Sequence, residues 1–237
     1  MDIPHKSRTR STGAAKGQLD ILARMPALDA DYLRSIAQLQ RFAKNELIFH
    51  AGAPGKNVYF LRSGRTKIYQ PSPCGKEVIL WFCFPGDMFG LAEVAQGEGR
   101  VVSAVACETT EVLSITQTQF TDFLLTHPTS SLLVMQVLSC RLRALGEFVV
   151  NLVNDDVQTR ITKLILRLGA RHGVHVDQDI HLDIDLTHQE IADMVGTTRQ
   201  TVTSVLGDLQ RRGLLRLENR RILIESPELL GEISQPT

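Results

Sequence analysis

The sequence predicts an α+β chain with three successive parts: an antiparallel β barrel or sandwich, one long helix and a C-terminal winged helix-turn-helix. Short β-rich runs separated by glycine and proline turns fill residues 40–115, which is typical of an antiparallel barrel or sandwich. A stripe of apolar residues then recurs at alternating spacings of three and four over residues 135–152. Two short helix patterns joined by a glycine, and two strand patterns behind them, fill residues 187–225.

Length and composition indicate packed domains without a strong overall charge. The 237 residues, 43% of them hydrophobic, are enough for one large or two smaller domains. The 26 basic and 26 acidic residues balance, so no whole-protein field draws the chain to nucleic acid or to an anionic membrane. Positive charge is local, because residues 197–221 hold six arginines against Asp208 and Glu218, a net charge of +4 that suits phosphates. The six are Arg199, Arg211, Arg212, Arg216, Arg220 and Arg221.

The sequence carries no pattern of a membrane or exported protein. No apolar run approaches the ~20 residues that span a bilayer, and residues 1–18 lack the apolar segment of a secretory signal. We expect residues 1–18 to form a disordered basic tail, with a supplementary phosphate contact as the alternative. The four cysteines are scattered without a C-x-x-C pair, which favours reduced thiols and a cytoplasmic location.

The first elements are short helices followed by short strands. Residues 19–39 predict two helices broken at Pro26. Asp29 or Asp31 is expected to cap the second helix. Residues 40–115 then predict the strands, and four glycines are expected to form the turns between them. These are Gly52, Gly64, Gly75 and Gly86.

After the strands, the pattern predicts one short and one long helix. The short helix runs from Thr116 to His127, and Pro128 ends it. The long helix, over about residues 129–154, is roughly 40 Å in length. Packing of its apolar stripe on the β domain is one interpretation, but the strict alternation favours a two-stranded coiled coil between two copies. The stripe consists of Met135, Leu138, Leu142, Leu145, Val149 and Leu152.

A break and a new helix cap follow at Asn154, Asp155 and Asp156. The next segment, DVQTRITKLILRLGARHG, predicts a helix, and HLDIDL predicts a strand that leads to Thr187. The predicted domains are a basic tail (1–18), a β sensor domain (19–127), a dimerisation helix (128–154) and a DNA-binding domain (155–237).

The two helices behind Thr187 carry local start and stop signals. Thr187 and Glu190 have the spacing of a capping box, which predicts the start of the first helix. Gly196 is expected to end that helix in a left-handed conformation. Thr197 and Gln200 repeat the capping-box spacing and predict the start of the second helix. Its apolar face consists of Val202, Val205, Leu206 and Leu209.

The other face of the second helix suits a DNA major groove. Arg199 can donate two hydrogen bonds to guanine, and Gln200 can pair with adenine, both from the first turn of the helix. The alternative is an ordinary solvated helical hairpin. A homodimer would present two such helices about a two-fold axis, which predicts an inverted-repeat DNA site. The predicted DNA contacts are Arg199, Gln200, Thr203, Ser204, Thr187 and Thr198.

The segment from Leu186 to Leu215 closely resembles the helix-turn-helix signature of the CRP/FNR family of bacterial transcription regulators. The runs NVYFLRSGRTKIY and FPGDMFG are similar to parts of that family's antiparallel β-roll, and the resemblance extends from Leu19 to Glu225. It implies a cytosolic homodimer, without enzyme activity, that binds promoter DNA and usually activates transcription with RNA polymerase. It also implies a small effector in the β-roll that repositions the two reading helices.

Within this resemblance, three DNA-reading positions can be compared with the branches of the family. Arg199 matches the arginine that reads guanine in many members. Gln200 stands where the cyclic-AMP type has Glu, and Ser204 stands where Arg is common, a combination that looks most like the carbon-monoxide-sensing branch. The resemblance therefore implies a related palindrome and leaves its outer bases undetermined.

The effector positions depart from the cyclic-AMP pattern. Leu91 replaces the glutamate that meets the ribose, and Arg100 is separated from the Ser103-Ala104 pair. Leu145-Gly146 replaces the Thr-Ser pair that meets adenine, so cyclic AMP is disfavoured. Glu93 and Arg100 either line a pocket for another effector or lie on a surface turn. The candidate pocket consists of Gly90, Leu91, Glu93, Arg100, Ser103 and Leu145.

Redox cofactors find little support in the sequence. No cysteine precedes Cys74, so the N-terminal cluster of the iron–sulfur branch is missing, and buried inert thiols are favoured over a cluster. The haem branch has Cys and His where this chain has Gly90 and Ala92, which leaves His50, His127 or a cysteine as other haem ligands. Cys74 is the thiol expected to be exposed, with redox sensing as a hypothesis. No metal site is predicted.

Two other classes of protein compete with a DNA-binding regulator. A cupin-like enzyme needs clustered histidine and carboxylate ligands, but the β region has only His50 and no H-x-H pair. A cyclic-nucleotide-binding module acting on a partner protein has no use for the reading helix and its wing, so the regulator is favoured.

Overall fold

A computed structural model of the protein describes residues 20–72, 75–92, 99–176, 179–182, 184–218 and 221–233. The predicted basic tail (1–18), Cys74, Glu93 and Arg220 lie outside the described residues.

The helices are α1 (Ile21–Arg24), α2 (Ala27–Ile36), α3 (Gln117–Thr126), α4 (Pro128–Asn154), α5 (Val157–His172), α6 (His188–Val195), α7 (Arg199–Arg211) and α8 (Pro227–Ile233). The strands are β1 (Gln38–Phe42), β2 (Leu47–Phe49), β3 (Asn57–Ser63), β4 (Thr66–Pro71), β5 (Glu77–Cys83), β6 (Met88–Phe89), β7 (Ser103–Ala106), β8 (Thr110–Thr116), β9 (Gly173–Val176), β10 (Asp179–Leu182), β11 (Leu215–Glu218) and β12 (Arg221–Ile224).

Strands β1 to β8 form two antiparallel sheets, ordered β1-β8-β3-β6 and β2-β7-β4-β5. Strand β3 is buried on both faces, because Tyr59 and Leu61 belong to one apolar cluster and Val58 and Phe60 to another. The first cluster lies between the sheets, and the second packs under α1, α2, α3 and the start of α4. The predicted turn glycines 52, 64, 75 and 86 all have positive φ, which confirms their role.

The helix break at Pro26 is confirmed, but the predicted cap of the second helix is wrong. Pro26 itself holds the N-cap position and makes no side-chain capping bond. Asp29 lies inside the first turn, where its carboxylate accepts a hydrogen bond from Ser130 Oγ at 2.6 Å. Asp31 pairs with Arg34 instead. Because the helix already begins at Ala27, both aspartates lie within it and neither can hold the N-cap position.

Helix α4 contains 27 residues, which corresponds to a rod of roughly 40 Å, and it begins with Pro128 at its first position. The break after it is as predicted: Asp156 caps α5 by accepting a hydrogen bond from the Thr159 amide at 2.7 Å.

The remaining elements form a third unit around the sheet β11-β12-β10-β9. The predicted wing is present as β11 and β12, whereas the strand predicted from HLDIDL ends at Leu182. The apolar core of this unit continues into the first domain, because Ile79 and Phe82 of β5 pack in the same cluster as residues of α5, α6 and α7. Helix α6 therefore lies against the β domain.

Candidate functional site

Helix α6 is fixed at both ends by its own sequence. The Thr187 side chain accepts a hydrogen bond from the Glu190 amide at 3.1 Å, and Glu190 Oε2 accepts from the Thr187 amide at 2.8 Å. This reciprocal pair is the predicted capping box. Gly196 ends the helix in the left-handed conformation, with φ of 70°, as expected. The orientation of α6 relative to the following turn is thus set locally.

The N-cap of helix α7 lies one residue later in the sequence than predicted. Thr198, rather than Thr197, holds the N-cap position and accepts a hydrogen bond from the Thr201 amide at 3.2 Å. The Thr197 amide donates to the Ala192 carbonyl at 3.0 Å, so this residue closes the end of α6. A capping box with Gln200 is therefore wrong, and the Gln200 side chain is exposed instead.

The two faces of α7 differ as the sequence predicts. Val202, Leu206 and Leu209 are fully buried in the core of the third unit. The opposite side exposes Arg199, Gln200, Thr203 and Ser204. Among the described residues, no carboxylate forms an ion pair with Arg199. The first turn of α7 therefore presents a cation and an amide side by side.

Three of the predicted contact residues also have structural roles. The Thr203 hydroxyl donates to the Arg199 carbonyl at 2.9 Å and contacts His188 Nδ1 at 2.8 Å. It thereby links α7 to α6, a contact that sequence reasoning missed because nothing local pairs these two positions. The hydroxyls of Thr187 and Thr198 cap helices. Arg199, Gln200 and Ser204 are thus the predicted readers whose side chains are not used in this way.

The basic patch around α7 is weaker than the sequence count indicated. Arg211 and Arg212 both pair with Asp208, at 3.2 Å and 3.7 Å. Arg216 pairs with Glu218 at 3.5 Å and also with Glu225.

On the wing, Arg221 lies 3.5 Å from Asp185. Asp185 and Glu225 lie outside the segment used for the charge count. The net charge of +4 predicted for the patch therefore overstates the local field.

The apolar stripe of α4 faces solvent in the single chain. Met135 is 60% exposed, Leu142 72% and Val149 58%. Leu138 and Leu152 are also exposed, and Leu145 is half-buried. The alternative interpretation, in which this stripe packs on the β domain, is wrong. Other residues of α4 make that contact, with Val134 buried in the helix-covered cluster and Leu133 and Val137 packed against it.

Arg100, which sequence reasoning placed either in a pocket or on a surface turn, is buried inside the β domain. It is 3% exposed, and its guanidinium donates to the Asn57 carbonyl. The guanidinium also lies 4.2 Å from the centre of the Phe49 ring and 6.0 Å from that of Tyr59. A side chain on Gly90 would come within 3.0 Å of Arg100, which explains the glycine there. The surface-turn interpretation is wrong.

Of the other described effector candidates, Gly90 and Ser103 lie near Arg100, whereas Leu91 and Leu145 lie elsewhere. Ser103 Oγ accepts from the Ala51 amide at 3.0 Å, beside the Arg100 segment. Leu91 is buried in the cluster under the helices, and Leu145 lines a separate cavity against α5. On the Phe49 and Tyr59 side of Arg100, Tyr59 and Phe89 stack with ring centres 5.1 Å apart.

Two residues at the contact between β5 and α4 were missed by sequence reasoning. The Arg141 guanidinium lies 5.0 Å from the centre of the Trp81 ring and donates to the Met88 carbonyl. The one available signal was a cation placed directly beside the apolar stripe on the long helix. Its partner is 60 positions away in sequence, so pairing the two required the tertiary structure.

Among the described residues, no group of three or more His, Cys, Asp or Glu side chains is placed to hold a metal ion. Burial raises the pKa of Cys83 to about 12 and that of Cys107 to about 11, which keeps both protonated. The prediction of buried thiols is wrong for Cys140, which is exposed on α4. His127 stacks on Phe123, with ring centres 4.4 Å apart.

Comparison with known proteins assigns both halves of the chain. The sequence matches the family models for a cyclic nucleotide-binding domain over residues 39–127 and for a Crp-like helix-turn-helix domain over residues 159–233. It is 31% identical to the CRP-like cAMP-activated global transcriptional regulator of Mycobacterium tuberculosis, over 90% of this chain and 97% of the relative. The chain belongs to the CRP/FNR family. It is a transcription regulator with a helix-turn-helix DNA-binding domain.

Further relatives agree with this assignment. The Global nitrogen regulator of Synechocystis is 31% identical over 82% of this chain and 87% of its own length. A CooA mutant from Carboxydothermus hydrogenoformans superposes with a TM-score of 0.76 at 28% identity, covering 86% of this chain and 90% of that structure. FixK2 from Bradyrhizobium japonicum reaches the same TM-score at 21% identity, which shows the shared fold. The predicted family, fold class and regulatory function are confirmed. Within the described ranges, every helix lacks the length or the apolarity that a bilayer crossing requires.

Proposed function

We propose that the protein binds promoter DNA as a homodimer and reads an inverted repeat with the first turn of α7. The observation that carries this proposal is the exposure of Arg199 and Gln200 on a helix whose other face buries Val202, Leu206 and Leu209. Arginine donates two hydrogen bonds to guanine in the major groove, and glutamine pairs with adenine. The caps at Thr187 and Thr198 hold both helices in place before DNA arrives, which lowers the ordering cost of binding.

The homodimer is supported by α4. Its exposed stripe forms a continuous apolar surface of the kind that marks an interaction site. Apolar residues recur in the stripe about every 3.5 residues, so the stripes of two copies can pack together as a left-handed coiled coil. A two-fold axis along that seam places two α7 helices symmetrically, which matches an inverted repeat.

The effector that we propose is a small molecule other than cyclic AMP. The cyclic-AMP activation named for the M. tuberculosis relative needs a pocket that the residues of this chain do not fit. Leu91 cannot bond a ribose hydroxyl and is buried under the helices. The guanidinium of Arg100 already donates to the Asn57 carbonyl and lies over the Phe49 ring, so a cyclic phosphate would have to compete with these contacts.

The remaining parts of the proposal follow from the family. We propose a cytoplasmic activator that contacts RNA polymerase and has no enzyme activity of its own. Its units would be a tail (1–18), a sensor (19–127), a dimer helix (128–154) and a DNA-binding domain (155–237). A module acting only on a partner protein is less well supported, because it would not need the exposed pair on α7.

The test is selection of DNA sites from random duplexes, followed by affinity measurement on the enriched site. An inverted repeat is expected. Arg199→Ala should weaken binding by about 1–3 kcal/mol, or roughly 5- to 150-fold, for each half-site, since one bidentate base contact per subunit is lost. Arg34→Ala removes an equally exposed arginine on α2 and should leave the affinity unchanged. Equal loss in both variants, or none for Arg199→Ala, would contradict the base-reading role.

A further inference from the structure

A cavity of about 720 Å³ lies between β5 of the sensor domain, the middle of α4 and the end of α5. It is separate from the Arg100 region, since neither Arg100 nor Ser103 lines it. Its volume falls within the roughly 300–1,000 Å³ typical of small-molecule sites. The apolar part of its wall includes Ile79, Phe82, Phe84, Leu168, Phe148 and Met194.

The polar part of the wall is strongly positive. Five arginines line the cavity, Arg24, Arg141, Arg143, Arg167 and Arg171, against one carboxylate, Asp87. Asp87 is already paired with Arg171 at 3.3 Å. Arg141 stacks on Trp81, so it faces an aromatic ring rather than an acid.

Arg167 lines the cavity and is exposed in the single chain, so its guanidinium is accessible to a ligand there. Partial burial lowers its pKa from the ordinary value and the charge of Glu147 raises it, but among the described residues no carboxylate lies within ion-pair distance of it. A bound carboxylate, sulfonate or phosphate would accept charged hydrogen bonds from it, in a cavity whose arginines outnumber its carboxylates by five to one.

We propose that this cavity binds an organic anion with an apolar body, and that the ligand controls the position of the DNA-binding unit. The acidic group would meet Arg167, and the apolar body would cover Phe82, Leu168 and Met194. The regulatory half of this inference rests on the proposed DNA-binding function, whereas the binding half does not.

The cavity is placed to couple the two units because its walls come from both. Ile79 and Phe82 belong to β5 of the sensor, and Met194 belongs to α6 of the DNA-binding unit. Next to it, the Arg65 guanidinium lies 4.8 Å from the centre of the Phe82 ring and 3.6 Å from a Glu190 carboxylate oxygen. A ligand that moves Phe82 or Met194 therefore acts on the contact that positions α6.

The protein supplies its own reporter, because Trp81 is its single tryptophan and lines the cavity. The probe is 1-anilinonaphthalene-8-sulfonate, an aromatic anion that accepts excitation energy from tryptophan. Its binding should quench Trp81, and decanoate should displace it. Decanol, which lacks the acidic group, should displace it far less.

Arg167→Gln should weaken decanoate binding by about tenfold, since a charged hydrogen bond is lost, and Arg167→Lys should restore part of it. Arg41→Gln, outside the cavity, is the control for charge and should bind like the natural chain. Equal binding in Arg167→Gln and the natural chain, or equal displacement by decanol, would overturn the site.

The regulatory half is tested on the selected duplex. Decanoate should change DNA affinity of the natural chain by at least threefold, and the change should shrink in Arg167→Gln. Normal decanoate binding with unchanged DNA affinity would overturn the regulatory half alone. A chain that selects no DNA sequence at all refutes the proposed function, while the fluorescence titration still decides the binding site.

Discussion

Helices α4 and α7 carry similar apolar stripes, yet the chain buries only one of them. In α7, Val202, Leu206 and Leu209 are fully buried against the chain's own core. In α4, the stripe that includes Leu142 stays exposed, while other residues, Val134 among them, pack on the sensor. The difference shows that an apolar repeat predicts that a helix face will be buried, but does not predict which part of the protein or which second chain will bury it. For α7 the cover is the same subunit, and for α4 we propose a second copy.

The largest expected effect is a loss of dimer affinity when a charge is placed in the exposed stripe of α4. Leu142→Glu would place two charges in the proposed seam and remove two buried leucines. At about 1.5–3 kcal/mol per leucine, the dimer should weaken by about 10²- to 10⁴-fold. Sedimentation should then show monomers with unchanged helix content by circular dichroism. Leu125→Glu, at an equally exposed leucine on α3, is the control and should stay dimeric. An unchanged mass for Leu142→Glu would move the interface elsewhere.

The next prediction compares the loss of stability when a leucine buried within one subunit is truncated with the loss when a leucine of the proposed dimer seam is truncated. Leu206→Ala should lower the free energy of unfolding by about 2–5 kcal/mol, because a fully buried side chain leaves a cavity. Leu138→Ala on α4 should cost much less in the dissociated chain, since Leu138 is 43% exposed there. Denaturant titrations at concentrations below dimer formation provide the measurement. Equal losses would mean that the α4 stripe is covered within one chain.

A smaller effect concerns how the two helices begin. Helix α4 starts with a proline and no side-chain cap, whereas α7 starts with the Thr198 cap. Thr198→Ala should destabilise the DNA-binding unit by about 1 kcal/mol, because the Thr201 amide loses its partner. Thr197→Ala, one residue earlier, should cost less than half as much. Thermal unfolding of both variants is the measurement. A larger loss of stability in Thr197→Ala than in Thr198→Ala would show that Thr197 is the cap.

The smallest effect is a pH dependence at the contact between the sensor and α5. The ring centre of His172 lies 3.9 Å from that of Phe84, and burial lowers the pKa of His172 from 6.5 to about 4. Between these values the unfolded chain holds a proton that the folded chain does not, so stability falls as the pH drops.

Because His172 is partly exposed, we expect a loss of only about 1 kcal/mol between pH 7 and pH 5. His172→Phe should remove this part of the loss. Denaturant titrations of both proteins at each pH provide the measurement, and identical pH profiles would show that the histidine is freely hydrated.

Prediction from sequence was most accurate where the signal was local. The capping box at Thr187 and the left-handed Gly196 were both readable from residues within one turn. The start of α7 was misplaced by one residue because two threonines compete for the cap, and the backbone bond from Thr197 to Ala192 decides between them. The sensor was harder, because Arg100 meets Asn57 and Phe49 across strands that are far apart in sequence.

The sequence alone therefore determined the order of the units, the two capped helices and the polar face that carries Arg199, because periodicity and capping act within a few residues. Only the tertiary structure showed that Arg100 is enclosed by aromatic rings and that Asp185 and Glu225 offset the basic patch. It also revealed the arginine-lined cavity between the sensor and α5. These features depend on contacts between distant segments, and burial and electrostatic pairing are properties of three-dimensional proximity rather than of spacing along the chain.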